Sequence, residues 1–400
     1  MKRKSSNKKK TAKKEYSFRY MDKVLLFASL LLLIFGIVMI LSASSIAAVR
    51  EYGRPENFFA IRQMIWAILG FIASLVIIKM KERWYSPIAL LGIFFITTIL
   101  LITLIHGKAT NGATSWLYIG PFSFQPSEFA KTFLILHLAC TLGGLKKIDG
   151  LQDLIWIFGF PAAIFFLILI QPDMGTGLII LFITLAIFYA LPIKRNKTYF
   201  FYKVGILATL IIGISLIFYL IKTDNNLINS LLTKEQQERI SEFAKPCTKY
   251  EDSGYQACHG YIAINSGGLL GEGIGKSTQK FLYLPEAYTD FIFPIIVEEL
   301  GIIVAGIILL VYLIILYRIF VIARTAKDLR GSIIAYGTLA YITAHIIINL
   351  GGVLAIMPLT GVPLPFLSYG GSFLINLMML LAFTQKVAIE RELKSINTQK

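Results

Sequence analysis

The sequence predicts an all-α, polytopic membrane protein of about ten transmembrane helices, with a large extracellular loop between helices 7 and 8. Three observations carry this. Hydrophobic residues make up 56% of the 400 residues, and the mean hydropathy is +0.69. Apolar stretches of about 20 residues recur from Val24 onward, each long enough to cross a bilayer core as a helix. Lys and Arg gather in alternate connections between them. The expected spans are 24–48, 57–79, 85–105, 125–144, 152–171, 174–192, 199–221, 290–317, 331–356 and 367–388. They form one membrane domain, residues 23–390, between a basic cytoplasmic tail at 1–22 and a C-terminal tail at 391–400.

Span 1 follows MKRKSSNKKKTAKK and exceeds the apolar core of a cleaved signal, although SASSIAAV offers small residues, so it reads as a retained anchor. Span 2, in FFAIRQMIWAI, keeps Arg62 inside the membrane, where a cation needs an anionic partner or a polar cavity. Span 3 leads into NGATSWLYIGPFSF. Span 4 opens with QPSEFAK: Pro126 suits a helix start, and Glu128 and Lys131, three apart, share a face. That pair either holds helices together or lines a cavity. Spans 5 and 6 meet at QPDMGTG, where turn capping is the default role of Asp173. After span 7, residues 222–289 form the long outer loop, and its TKEQQERISEFA stretch suits a short helix lying along the membrane surface. NLGGVLAIMPLTGVPLPFLSYGGS, between spans 9 and 10, is broken by Pro358, Pro363 and Pro365. Irregular backbone at this depth is tolerated where it is buried or lines a cavity, so it reads as one wall of an outward-facing pocket.

The net charge of +16 need not mean a nucleic-acid partner. The basic N-terminus leads straight into a span. With that end inside, the inside connections carry Lys79, Lys81 and Arg83, then Lys146 and Lys147, then Lys194, Arg195 and Lys197, then Arg318, Arg324, Lys327 and Arg330. The short outside connections carry only Arg50, Arg54 and Lys108. Both termini are therefore expected in the cytoplasm, with anionic membrane lipids as partners of the tail and no nucleic acid.

Span 8 begins YLPEAYTDFIFPIIVEELG. Asp290 sits at its mouth, and Glu298 lies about 12 Å deeper, turned about 80° from it, with Glu299 turned about 180°. One reactive centre cannot use all three. The two glutamates are expected to tie span 8 to its neighbours. Asp290 has two readings, a helix N-cap or a chemical group at the water boundary. GEGIGKS, residues 271–277, fails the phosphate-loop pattern because Leu270 stands where the first glycine belongs. Its open backbone N–H groups, with Lys276 and Lys280, suit an anion such as a lipid-linked pyrophosphate, or form a plain flexible loop. Four His and three Cys without ligand spacing give zinc or Ser-His-Asp chemistry no support.

GATSWLYIGPFSFQPSEFAK, QPDMGTG, SGGLLGEGIGKSTQKFLYLPEAYTDFIFPIIVEELG and PLTGVPLPFLSYGGS, in this order, resemble the SEDS family of bacterial shape, elongation, division and sporulation proteins. The branch resembled is closer to FtsW and SpoVE than to RodA. The resemblance implies a peptidoglycan glycosyltransferase that polymerises lipid II by inverting transfer at the outer face of the cytoplasmic membrane. It also implies a class B penicillin-binding protein as partner, within the divisome or elongasome. The family's essential acid falls on Asp290, and its cavity positions fall on Arg62, Trp116, Glu128, Lys131 and Asp173. Lys276 and Lys280 are further candidate cations for the leaving pyrophosphate. No resident cofactor is expected beyond a divalent cation, Mg or Mn, without a recognisable all-protein cage. This chain has Ser115 where many relatives have Arg, and Tyr288 where most have His. Rival readings are a lipid II translocase and a non-catalytic activator of the penicillin-binding protein. Small-residue faces such as SASS in span 1, or the outer half of span 8, are expected to receive the partner's helix. Cys247 and Cys258, about a dozen residues apart in the same outer loop, are expected to form a disulfide.

Overall fold

The computed structural model describes residues 18–110, 113–119, 122–144, 150–191, 197–223 and 255–398, with Gln237 and Cys247 besides. The basic tail before Phe18, Lys146, Lys147, Lys194, Arg195 and the expected surface helix, apart from Gln237, lie outside these residues. Among the described residues ten helices of 17 residues or more follow the expected spans. They are α1 (Lys23–Arg50), α2 (Phe58–Lys79), α3 (Tyr85–His106), α4 (Pro126–Leu142), α5 (Leu151–Ile170), α6 (Met174–Ala190), α7 (Lys197–Thr223), α9 (Ile292–Arg324), α10 (Leu329–Val353) and α11 (Gly371–Thr398). A shorter helix, α8 (Tyr255–Gly267), precedes α9. Six of the helices are long and apolar enough to cross a membrane, and α5 and α6 contribute shorter apolar stretches. The chain is a multi-pass membrane protein.

Local chemistry sets the ends. Asp22 caps α1 by accepting from the Leu25 N–H, Asp173 caps α6 through Thr176, and Asp328 caps α10 through Gly331. Asp22 also receives Arg318 from α9 on its carboxylate, and its backbone N–H donates to Gln385 of α11 at 2.8 Å, so one residue locks three helices at that end. α10 is the central strut, packed on α9, α6, α4 and α11, and α11 lies along α2. The last helix runs to Thr398, past the expected end at 388, because ERELKSINT contains neither Gly nor Pro to stop it.

Two features depart from the expected outline. The loop between α3 and α4 folds into a three-stranded antiparallel sheet, β1 (Lys108–Thr110), β2 (Ala113–Ile119) and β3 (Phe122–Phe124), with Leu117 opposite Phe124 and Tyr118 opposite Ser123. The second departure is a break in α9 at Gly301, whose φ of 80° and ψ of 169° belong to no helix. The loop after α8 fills that break. Glu272 and Gly273 donate to the freed carbonyls of Glu298 and Glu299, both at 2.9 Å, and the Ile302 N–H reaches the Gly268 carbonyl at 3.0 Å. Backbone groups at this depth are thus satisfied by protein, as a membrane demands.

The clamp leaves no room for a side chain. A Cβ at Gly301 would stand 2.3 Å from the Leu269 carbonyl oxygen, and one at Gly271 would stand 2.4 Å from that of Glu299. Gly301→Ala is therefore expected to lower the melting temperature in detergent sharply, since the backbone conformation alone costs a non-glycine residue about 1–3 kcal/mol before the clash is counted. An unchanged melting curve would show that the break is dispensable. The SASS run of α1 faces inward on this same helix: Ala43 and Ser44 are buried, and Ser42 donates to Glu299 at 2.7 Å. It is therefore not available as the docking face the sequence suggested.

Candidate functional site

Residues 284–291 press into the bundle, with Leu284, Ala287, Tyr288 and Phe291 buried, and deliver a half-buried Asp290 just before α9. Glu286 and Leu282 in this segment hold left-handed backbone, φ 54° and 68°, a conformation that persists only where surroundings over-determine it. The N-cap of α9 is Phe291, and no side chain closes that cap, so Asp290 is not the capping group. Its backbone carbonyl instead accepts from Asn349 Nδ2 at 2.8 Å. Thr289 Oγ1 lies 3.2 Å from Asp290 Oδ1 and 2.5 Å from Glu286 Oε2. The carboxylate faces a small cleft of about 10 Å³ walled by Asn349, Gly352, Leu359, Thr360 and Gly361. The proline-broken segment is thus one wall of it.

The sequence-predicted partners fall into three groups. The first rims the same face. Asp173, besides capping α6, receives Ser115 at 3.3 Å and Gln125 Nε2 at 3.5 Å on its second oxygen. Ser115 is thus a neutral partner of that acid. Trp116 follows it on β2, opposite Lys108. Arg62 lies 4.7 Å over the Phe58 ring. Burial raises the Tyr369 phenol above its ordinary pKa, and the Arg62 guanidinium opposes this. Tyr288 packs 4.6 Å from Phe59, beside Tyr52 and Tyr369. Burial pushes its phenol up as well, so it stays protonated and is no base at neutral pH.

The second group is internal. Glu128 and Lys131 form a 2.7 Å ion pair, both buried. Lys131 Nζ reaches His345 Nε2 at 3.3 Å, Tyr341 donates to Glu128 at 3.4 Å, and His345 Nδ1 stands 3.2 Å from the Pro363 carbonyl. These partners fix the tautomer, with Nδ1–H donating to Pro363 and Nε2 accepting from Lys131. Tyr341, His345 and Asn349 are one turn apart on one face of α10. The pair is therefore joined to the Asp290 pocket by a polar ladder and does not itself line it. Sequence reasoning missed His345 and Asn349, although polar residues at i, i+4 and i+8 in YITAHIIIN were the available signal.

The third group lies elsewhere. Ser277 Oγ and the Thr278 N–H, the latter at 2.9 Å, bind the Glu298 carboxylate, and Lys280 pairs with Glu299 at 2.9 Å. The glycine-rich segment does cradle an anion, but that anion is the protein's own Glu298. Lys280 is only 5% exposed and spent on Glu299, which corrects its expected place beside a substrate, while Lys276 stays exposed on the loop. Cys247 is bonded to Cys258 at the start of α8, with Cα atoms 5.2 Å apart. Among the described residues no three His, Cys, Asp or Glu side chains converge on a point.

A bundle of apolar helices, six of them long and apolar enough to cross a membrane, defines a polytopic membrane protein. Residues 22–393 match the family FTSW_RODA_SPOVE, described as Cell cycle protein, and the chain belongs to that family. It is 34% identical to stage V sporulation protein E of Bacillus subtilis over 90% of this chain and 94% of that protein. It is 37% identical to the probable peptidoglycan glycosyltransferase FtsW of the same organism, covering 89% and 88%. Its fold matches the crystal structure of the rod shape determining protein RodA of Thermus thermophilus with TM-score 0.65, at 25% identity, covering 93% of this chain and 97% of that one. It also matches, at TM-score 0.72 and 24% identity, a chain of a peptidoglycan synthase complex, covering 93% and 98%.

Proposed function

We propose that this protein is a peptidoglycan glycosyltransferase that polymerises lipid II, with Asp290 as general base. The observation that carries the reading is the setting of Asp290: it is free of the capping duty its position suggests, fixed through its backbone by Asn349, and open to a pocket. Relatives named as probable glycosyltransferases support it. In the reaction Asp290 takes the proton of an acceptor sugar hydroxyl while that oxygen bonds the anomeric carbon of the donor. The anomeric bond to the pyrophosphate breaks, and the electron pair leaves on the phosphate oxygens. Of the cations the sequence singled out, Arg62 and the exposed Lys276 are assigned to meet that charge, since Lys131 and Lys280 are held in buried pairs. A divalent cation enters the proposal only as an ion carried by the pyrophosphate.

The basic connections orient the pocket toward the cell exterior and both termini toward the cytoplasm. A class B penicillin-binding protein belongs to the same proposal, seated along a lipid-facing helix other than the inward SASS face, within a division or elongation complex. The test is purified protein with lipid II already accessible in detergent, where no transport is needed. Glycan strands are the expected product. Absence of polymer, with lipid II crossing the bilayer in proteoliposomes, would replace this reading by a translocase.

A further inference from the structure

We infer that Asn349 contacts the substrate, its Oδ1 accepting a hydrogen bond from a donor group of the sugar whose hydroxyl Asp290 deprotonates. The inference rests on the glycosyltransferase reading and goes beyond it by naming a second point of recognition.

The orientation of the amide is decided by its neighbours. Nδ2 stands 2.8 Å from the Asp290 carbonyl and 2.8 Å from the Val362 carbonyl. Both are acceptors only, so the NH₂ end must face them and both of its protons are used. Oδ1 is then turned the other way. Asn349 is 3% exposed, and among the described residues no donor reaches Oδ1. The residue lines the Asp290 pocket.

An acceptor buried without a partner is costly, and buried polar groups are satisfied almost everywhere in folded proteins. The clamp on the two carbonyls does not explain the oxygen, because the structure uses only the nitrogen for it. The pocket supplies its complement: the nearby lining is largely apolar or backbone, namely Ile348, Val353, Leu359 and Val362, so few polar groups are available to orient a ligand. An amino sugar brings donors of two kinds, ring hydroxyls and the acetamido N–H. Asp290 engages the hydroxyl that attacks, and Asn349 receives a neighbouring donor. Two contacts on one ring decide which hydroxyl is presented, the kind of positioning that converts binding into rate.

The experiment measures glycan formation by the wild-type protein on lipid II and on analogues lacking one donor of the acceptor sugar: single deoxy sugars for the hydroxyls, and an acetate ester in place of the acetamide. Apart from loss of the attacking hydroxyl, one analogue is expected to lose about 10- to 100-fold in kcat/KM. The identity of that analogue tells hydroxyl from N–H. Asn349→Ala is expected to be slow on intact lipid II yet nearly indifferent to that same deletion, because the bond is already gone. The inference is overturned if every deletion costs wild type less than about threefold, or if deletion and substitution simply multiply. The wild-type series requires no variant to fold. Failure of wild type on intact lipid II would instead remove the glycosyltransferase reading itself.

Discussion

Asp290→Asn is expected to lower the rate of glycan formation by about 10²- to 10⁴-fold while leaving the folded protein intact. Asn keeps the shape of Asp and removes its basicity. The backbone carbonyl that Asn349 binds is unaffected, and α9 is capped at Phe291 without help from the 290 side chain. The amide can still lie beside Thr289 Oγ1. A loss of activity accompanied by an unaltered size-exclusion profile and melting curve would mark a chemical role. An Asp290→Asn protein that polymerises at near-normal rate would sink the mechanism.

Lys280→Met is expected to act on stability, in contrast to Asp290. Its Nζ lies 2.9 Å from Glu299 Oε1, and the two side chains are 4% and 0% exposed. Removing one partner of such a pair leaves a buried charge uncompensated, a loss of about 3–5 kcal/mol. Ser42 still donates to Glu299 but carries no charge to balance it. The double change Lys280→Met with Glu299→Met should recover most of the lost stability, because two apolar groups of similar volume replace the pair. If Lys280 instead met the substrate pyrophosphate, Lys280→Met would fold normally and be inactive, and the second change would restore nothing. Thermal unfolding in detergent, read beside the polymerisation rate, separates the two outcomes.

Helix number, the connections and the importance of the 290 region were legible in the sequence because a bilayer imposes a strong, simple pattern: long apolar runs with charge at their edges. Asp173 was readable as a cap for the same local reason. What escaped was decided by contacts distant in sequence. Lys276 and Lys280 look alike beside a glycine loop, yet only Lys280 finds Glu299, a residue that lies beyond the whole Asp290 segment. Glu128 and Lys131 were visible as a pair, but their link to the pocket runs through His345 and Asn349 on another helix. The β-sheet before α4 was hidden because its strands are short runs separated in the sequence by the turn dipeptides NG and GP. The break in α9 fell at Gly301, and a lone glycine within an apolar run does not by itself mark a break.

That break also bears on how the chain is made. An insertion machinery reads a nascent segment before its tertiary partners exist, and two adjacent glutamates in the first turns of one continuous apolar helix would weigh against its entry. Dividing α9 at Gly301 leaves Ile302–Arg324, about 34 Å of helix, as an apolar span able to enter the lipid unaided. The segment Ile292–Leu300, with Glu298 and Glu299 at its end, then has no need to be recognised as lipid-soluble at all. It settles once Ser277, Lys280 and Ser42 are present to receive it. The break therefore lets the helix be made in two steps, the greasy half entering the lipid by itself and the acid-bearing half packing when its partners arrive.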